Sequence, residues 1–291
     1  MENIVCSQVT KTYGKKNAVD HIDLTIEKGK IYGMIGRNGA GKTTLLSMMA
    51  NQIAPTFGKV TWNGQDIWEN KEALNHICFA REIAVGSSNN GLATLKAKDY
   101  LQAASFFYPN WDKEFASELI KKFDLDIKQK LGKMSKGMLS MVTIIIALAS
   151  KADFTFMDEP VAGLDVVARE DFYRILLNEY MESGRTFIVS THIIEEASDI
   201  FEEVIMINRG KVLAKENTQE LLERTYQVNG LAETVDKAVE GLKCYHAEKI
   251  GRSKSVVVVL EPGQSLRKDP ELTITPVKLQ HLFVAMCGME N

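Results

Sequence analysis

Nothing in the sequence is apolar for long enough to cross a bilayer. The longest such run, residues 141–149 with Thr143 inside it, falls well short of the roughly 20 residues a spanning helix needs. Any membrane role is therefore borrowed from a partner. The four cysteines, Cys6, Cys78, Cys244 and Cys287, include no CxxC pair, which argues against a zinc site or a disulfide framework and leaves them as core or surface thiols. Neither sign of charge dominates, with 35 Lys and Arg against 38 Asp and Glu, so no bulk attraction to nucleic acid or anionic lipid is expected. The opening MENIVCSQVTKTYG has neither a basic start followed by an apolar stretch nor a small-residue cleavage site, and a cytosolic location is predicted. Internal repeats and low-complexity segments are lacking too; residues 86–91 (GSSNNG) are the one insert that reads as flexible.

What is present is globular composition, 45% hydrophobic and 25% charged over 291 residues, enough for one large domain and a small one. β-rich runs at 4–10, 19–26 and 30–35 open the chain, and the third leads through a Gly-rich turn into a helix predicted over 43–51. Residues 94–124 read as two helices broken at Pro109-Asn110. After Gly137 come an apolar helix, a strand at 154–157, a helix at 166–183, a strand at 186–190, a short helix and a strand at 203–207. This alternation predicts an α/β fold with a mostly parallel sheet and helices on both faces. Beyond about Thr218 the style changes to a helix, a strand at 226–228, a helix at 231–240, a strand at 255–260 and a terminal helix at 276–286. Two domains follow, 1–217 and a small α+β domain at 218–291.

The chemistry concentrates in two places. Gly36-Arg37-Asn38-Gly39-Ala40-Gly41-Lys42-Thr43-Thr44 fits GxxxxGK[ST] between a strand and a helix, the context that motif needs. Its glycines let backbone N–H groups close around a β-phosphate and the helix N-terminus adds a positive dipole end. Lys42 offers a point charge to the β- and γ-phosphates, and Thr43 can ligate Mg²⁺. Further on, the apolar strand Phe154-Thr155-Phe156-Met157 ends in Asp158-Glu159, at the sheet edge where such folds bind ligands. Asp158 is assigned to the Mg²⁺ shell, and Glu159 to polarising the attacking water as general base.

With these residues in place, residues 4–213 resemble the ABC (ATP-binding cassette) ATPase family. The resemblance implies a P-loop NTPase-type core with a parallel sheet, an N-terminal antiparallel β subdomain and an inserted helical subdomain at about 86–150, with the small α+β domain appended. By the same resemblance Tyr13 stacks on adenine, and Val161-Ala162-Gly163-Leu164-Asp165 is the loop that crosses a dimer interface, with Asp165 near the nucleotide. His192, in Ser190-Thr191-His192, contacts the γ-phosphate. The family's signature loop is read in Met134-Ser135-Lys136-Gly137-Met138, a variant of LSGGQ in which Ser135 and the backbone around Gly137 grip a phosphate presented by the other subunit. ATP with Mg²⁺ is thus expected between two subunits.

One departure is sharper. Where the family has a glutamine, this chain offers Glu82, and no glutamine lies between Gln65 and Gln102. A carboxylate still ligates Mg²⁺, so Glu82 is expected to contact the metal. The aromatics Phe106, Phe107, Tyr108 and Trp111 are read as core from their helical spacing, and the Lys15-Lys16 and Lys121-Lys122 pairs as solvated surface.

One phosphate loop and one signature mean that two chains, identical or homologous, complete each site. The resemblance further implies a separate transmembrane permease whose coupling helix enters a groove beside residues 86–135, placing the subunit at the cytoplasmic face of the membrane. The signature and the C-terminal extension look like those of exporter ATPases of the bacitracin-resistance and phenol-soluble modulin export type. Export of an amphipathic peptide, antibiotic or lipid is the expectation, with the extension assigned to dimer stabilisation. A ribosome-acting ABC protein would carry two cassettes, and a chromosome-maintenance ATPase a long coiled coil where only residues 45–133 lie here. A nucleotide clamp with little turnover is the remaining alternative.

Overall fold

The computed structural model describes residues 2–86, 91–267 and 269–288; part of the insert read as flexible, residues 87–90, lies outside them. β1 (Asn3–Tyr13) and β2 (Lys16–Glu27) form an antiparallel pair. β3 (Ile31–Gly36) follows, buried at every residue, and runs through the 37–41 loop into α1 (Lys42–Met49). β4 (Phe57–Trp62) and the two-residue β5 (Gln65–Asp66) return to the first pair, giving an antiparallel sheet of order β2-β1-β4-β5. The short α2 (Lys71–Asn75) then leads to β6 (Ile77–Ala80).

An all-helical stretch comes next: α3 (Ala97–Ser105), α4 (Lys113–Lys122) and the long apolar α5 (Lys136–Ala149). Asp112 caps α4 by accepting from Phe115 N at 2.9 Å, which fixes the break foreseen at Pro109-Asn110. α3 stops at Ser105, so the helical period does not carry on into the aromatics that follow. Phe106 and Phe107 are each 79% exposed, correcting the core reading, while Tyr108 and Trp111 are half-buried.

β7 (Phe154–Asp158), α6 (Val166–Ser183), β8 (Thr186–Thr191), α7 (Ile194–Ala197) and β9 (Glu203–Asn208) complete the alternating part, and β10 (Lys211–Asn217) closes it. The central sheet has the order β10-β9-β3-β8-β7-β6. All its pairings are parallel except β9 with β10. Its inner strands are apolar almost throughout because both faces are covered. The order β3-β8-β7 is what positions the site: three neighbouring strands send the loops after Gly36, Thr191 and Asp158 out of the same edge.

Inside the covered face lies a buried ion cluster. Glu179 of α6 is 3% exposed and receives Lys151 Nζ at 2.9 Å and Arg185 Nη2 at 2.9 Å. Arg185 also donates to Leu148 O at 3.1 Å and Ala152 O at 3.3 Å, tying the end of α5 to the start of β8. Glu179→Ala leaves the buried Arg185 without its carboxylate partner, while Lys151 keeps Asp112 Oδ2 at 3.6 Å, so a loss of about 3–5 kcal/mol is expected, read as a lower urea midpoint with an unchanged slope.

The C-terminal part holds α8 (Thr218–Glu223), β11 (Thr225–Leu231), α9 (Ala232–Ala238), β12 (Lys243–Ile250), β13 (Ser253–Val259), β14 (Thr273–Pro276) and α10 (Leu279–Cys287). Its antiparallel sheet runs β12-β13-β11-β14. Alternate valines of β13 face opposite ways. Val256 and Val258 join the small core with Val228, Val235 and Val239, whereas Val257 and Val259 join the main core beside Leu282 and Phe283 of α10. The terminal helix begins at Leu279, since Pro276 closes β14, three residues later than the sequence predicts.

Candidate functional site

The 36–44 loop is built for an anion. Gly41 caps α1 with φ 110° and no side-chain hydrogen bond reaches the cap, leaving the first-turn N–H groups open. A Cβ on Gly41 would lie 2.4 Å from Ala18 O, so only glycine fits this approach to β2. Lys42 is 6% exposed; its ammonium donates to Gly36 O at 2.7 Å and stands 3.3 Å from Glu159 Oε1. The cleft around it, about 420 Å³, is lined by Tyr13, Lys16, Ala18, residues 37–44 and Glu159. Tyr13, at the end of β1, is 53% exposed, an open ring on the cleft wall.

The neighbouring strand ends supply the acids. Asp158 Oδ2 accepts from Thr43 Oγ1 at 2.6 Å and its Oδ1 from Ser190 Oγ at 2.5 Å. Glu159 adopts φ 51°, a left-handed conformation costing a non-glycine residue roughly 1 kcal/mol or more. Its N–H donates to Ser190 O at 3.1 Å and lies 3.2 Å from Ser190 Oγ, which holds the strained turn. His192 Nδ1 is 2.7 Å from Glu159 Oε2, while Glu159 Oε1 is buried without a hydrogen-bond partner. Ser190 is the residue that sequence reasoning passed over as a role in its own right. Its place follows from Asp158 standing opposite Ser190 across β7 and β8, a register no linear motif displays.

Two chemical capacities follow. The Thr43 hydroxyl and Asp158 carboxylate are hard oxygen donors already side by side, a pair that fits Mg²⁺. Glu159, with Oε2 fixed by His192 and Oε1 beside the Lys42 ammonium but accepting no hydrogen bond, is arranged to take a proton from a water.

The other expected residues lie elsewhere. Glu82 does not join the Thr43 and Asp158 pair: its Oε1 is 3.4 Å from Lys136 Nζ. It lines a second groove of about 450 Å³ with Phe79, Arg81, Tyr100, Phe107 and Tyr108. Ser135 caps α5, accepting from Met138 N at 3.1 Å, and a Cβ on Gly137 would meet Gly163 O at 2.5 Å, so the 134–138 and 161–165 loops pack together. Asp165 caps α6, accepting from Ala168 N at 2.9 Å. None of Glu82, Ser135, Gly137 and Asp165 lines the cleft around Lys42.

The chain is similar to known proteins in sequence and in fold. The profile of the family described as ABC transporter matches residues 19–162. The bacitracin transport ATP-binding protein BcrA of Bacillus licheniformis is 32% identical over 213 residues, 72% of this chain and 68% of that protein. The ABC transporter ATP-binding protein YtrB of Bacillus subtilis is 22% identical over 287 residues, 97% of each, so that likeness includes the C-terminal sheet. A bacterial ABC transporter cassette solved as a dimer is 25% identical with a TM-score of 0.63, covering 74% of this chain and 98% of that one.

Proposed function

The chain belongs to the family of ABC transporter ATP-binding subunits and is an ATPase, and from that premise we propose that it hydrolyses ATP between two subunits to drive a separate transmembrane permease. The observation that carries this reading is the division of the site. Thr43 touches Asp158, and Lys42 and His192 both touch Glu159, at one edge of the central sheet, while Ser135 and Gly137 stand apart on the helical side of the same chain. A second subunit turned to face the first brings its own Ser135 and Gly137 over the bound nucleotide.

The residues then act as follows. The open N–H groups of α1 and the Lys42 ammonium hold the phosphates. Thr43 and Asp158 would hold Mg²⁺, which would supply neutralisation of the phosphate charge. Glu159 accepts a proton from water as the water oxygen bonds to the γ-phosphorus and the bond to the β-phosphate oxygen breaks, giving ADP and phosphate. His192, braced by Glu159, turns its other ring nitrogen to the terminal phosphate. Tyr13 offers its face to the adenine.

Among the described residues no helix is long and apolar enough to cross a membrane, so membrane attachment at the cytoplasmic face runs through the permease. The groove of Phe79, Arg81, Glu82, Tyr100 and Phe107 is the seat for the permease's coupling helix, with Glu82 poised between that seat and the signature loop through Lys136. Outward transport of an amphipathic peptide, antibiotic or lipid is supported by the likeness to a bacitracin transport subunit.

Steady-state ATP hydrolysis by the purified chain, alone and with its candidate permease, tests the reading. Turnover that rises with the permease supports it; an inactive chain with the permease present replaces it with the nucleotide clamp. Phe107→Ser removes an exposed aromatic from the groove and is expected to cut stimulation about tenfold, the effect of a modest interface anchor, with turnover of the chain alone unchanged. Equal loss in both assays would place Phe107 in the folding of the helical stretch instead.

A further inference from the structure

His192 sits between the end of β8 at Thr191 and the start of α7 at Ile194. Its ring is braced by Glu159, but its backbone is carried by α7, a helix of one turn that has little stability of its own. Two larger elements hold that turn. Ile194 and Ala197, 3% and 0% exposed, are buried in the same apolar cluster as Leu279, Leu282, Phe283 and Ala285 of α10, and α10 packs directly on α7. On the other side, Arg169 Nη1 of α6 binds both oxygens of Glu196, at 2.8 Å and 3.0 Å. Arg169 Nε also lies 3.4 Å from Asp165 O, so the same side chain touches the 161–165 loop. The adjacent Glu195 approaches Lys278 Nζ, at the foot of α10, at 4.0 Å.

The position of α10 is in turn fixed by the C-terminal sheet. Tyr245, Val257 and Val259 turn toward it on the face opposite α9. The chain from β11 onward therefore ends in a helix whose apolar face serves the segment bearing His192.

We propose that the C-terminal domain, acting with Arg169 of α6, is a positioning element for His192: α10 and Arg169 clamp α7 from two sides and so set where the imidazole meets the terminal phosphate of the nucleotide. This rests on the reading of His192 as the residue that contacts that phosphate. Loosening either clamp leaves the phosphate loop and its grip on ADP untouched and weakens the added contact that distinguishes a triphosphate.

The test uses the full chain and measures affinity for ADP and for the slowly hydrolysed adenylyl imidodiphosphate, with folding checked by thermal melting. His192→Ala is expected to lower the triphosphate-to-diphosphate preference about tenfold, the loss of one charge-assisted hydrogen bond. Leu282→Ala, at a fully buried position of α10, and Arg169→Gln, which shortens a side chain 19% exposed and removes its charge without opening the apolar core, are each expected to lower the preference about three- to tenfold with ADP affinity unchanged. Combined with His192→Ala, neither is expected to lower it further, because residues acting through one contact are not additive. A preference unchanged in both folded clamp variants overturns the proposal while the reading of His192 stands, as does a further loss on top of His192→Ala. An unchanged preference in His192→Ala itself removes both.

Discussion

Glu159→Gln is expected to cut ATP turnover by about 10²- to 10⁴-fold, the range removed with a general base, while nucleotide still binds. The substitution is nearly isosteric, so the turn held at φ 51° and fixed through the Glu159 N–H and Ser190 O bond is kept. The amide oxygen still accepts from His192, as Oε2 does now at 2.7 Å. What is lost is the buried Oε1, which accepts no hydrogen bond, as a proton acceptor. Removing its negative charge also leaves Lys42, 3.3 Å away, without a competitor for the phosphates, so ATP affinity is expected to hold or rise. With hydrolysis blocked, two chains closed on ATP should persist as a dimer on size exclusion in ATP and Mg²⁺ and fall apart in ADP. Phosphate release within tenfold of the wild-type rate would remove Glu159 from the role of base.

Which parts of the fold were legible follows from burial. The inner strands β3, β7 and β8 are covered on both faces, and their apolar runs are visible without an alignment. Edge strands are written differently. β12 (Lys243–Ile250) buries only Tyr245 fully and carries Lys243, Glu248 and Lys249, charge that suits an exposed edge and hides the strand from a search for apolar runs. β14 ends in Pro276 at the opposite edge, a residue tolerated there that reads in the sequence as the start of a helix. Phe106 and Phe107 show the converse error: helical spacing of the aromatics suggested core, but α3, the helix that would have turned them inward, ends at Ser105.

The site was legible where its chemistry is local. A phosphate loop is one continuous segment, and an acidic pair at a strand end is another, so spacing alone reveals them. Contacts between segments were not. Glu82 was expected beside Thr43 and Asp158, yet its side chain meets Lys136, so two of the positions where this chain departs from the common family pattern face each other. Asp165 was expected at the nucleotide, and its carboxylate caps α6. Ser190, which links Asp158 to the Glu159 turn, owes its place to the register of two strands 32 residues apart in sequence.

Gly41→Ala should abolish useful nucleotide binding, weakening it by at least about 100-fold. Two costs combine. At φ 110° the backbone lies where an alanine is strained by roughly 1–3 kcal/mol, and the new methyl would sit 2.4 Å from Ala18 O, a backbone atom of β2 that cannot swing aside as a side chain would. The strain is relieved only by moving Gly41, and Gly41 is the cap of α1. Its shift displaces the open N–H groups, the Lys42 ammonium and the Thr43 hydroxyl together, so the loss exceeds that of any one contact. Gly39→Ala separates the two costs: φ is 77° but nothing lies within 4 Å of the added carbon, so strain acts alone and a loss of about tenfold is expected, near 1.4 kcal/mol. Titration of both variants with a fluorescent ATP analogue decides the matter. If Gly39→Ala binds more weakly than Gly41→Ala, backbone conformation and not the approach to Ala18 governs the loop, and the account of Gly41 given by that contact is wrong.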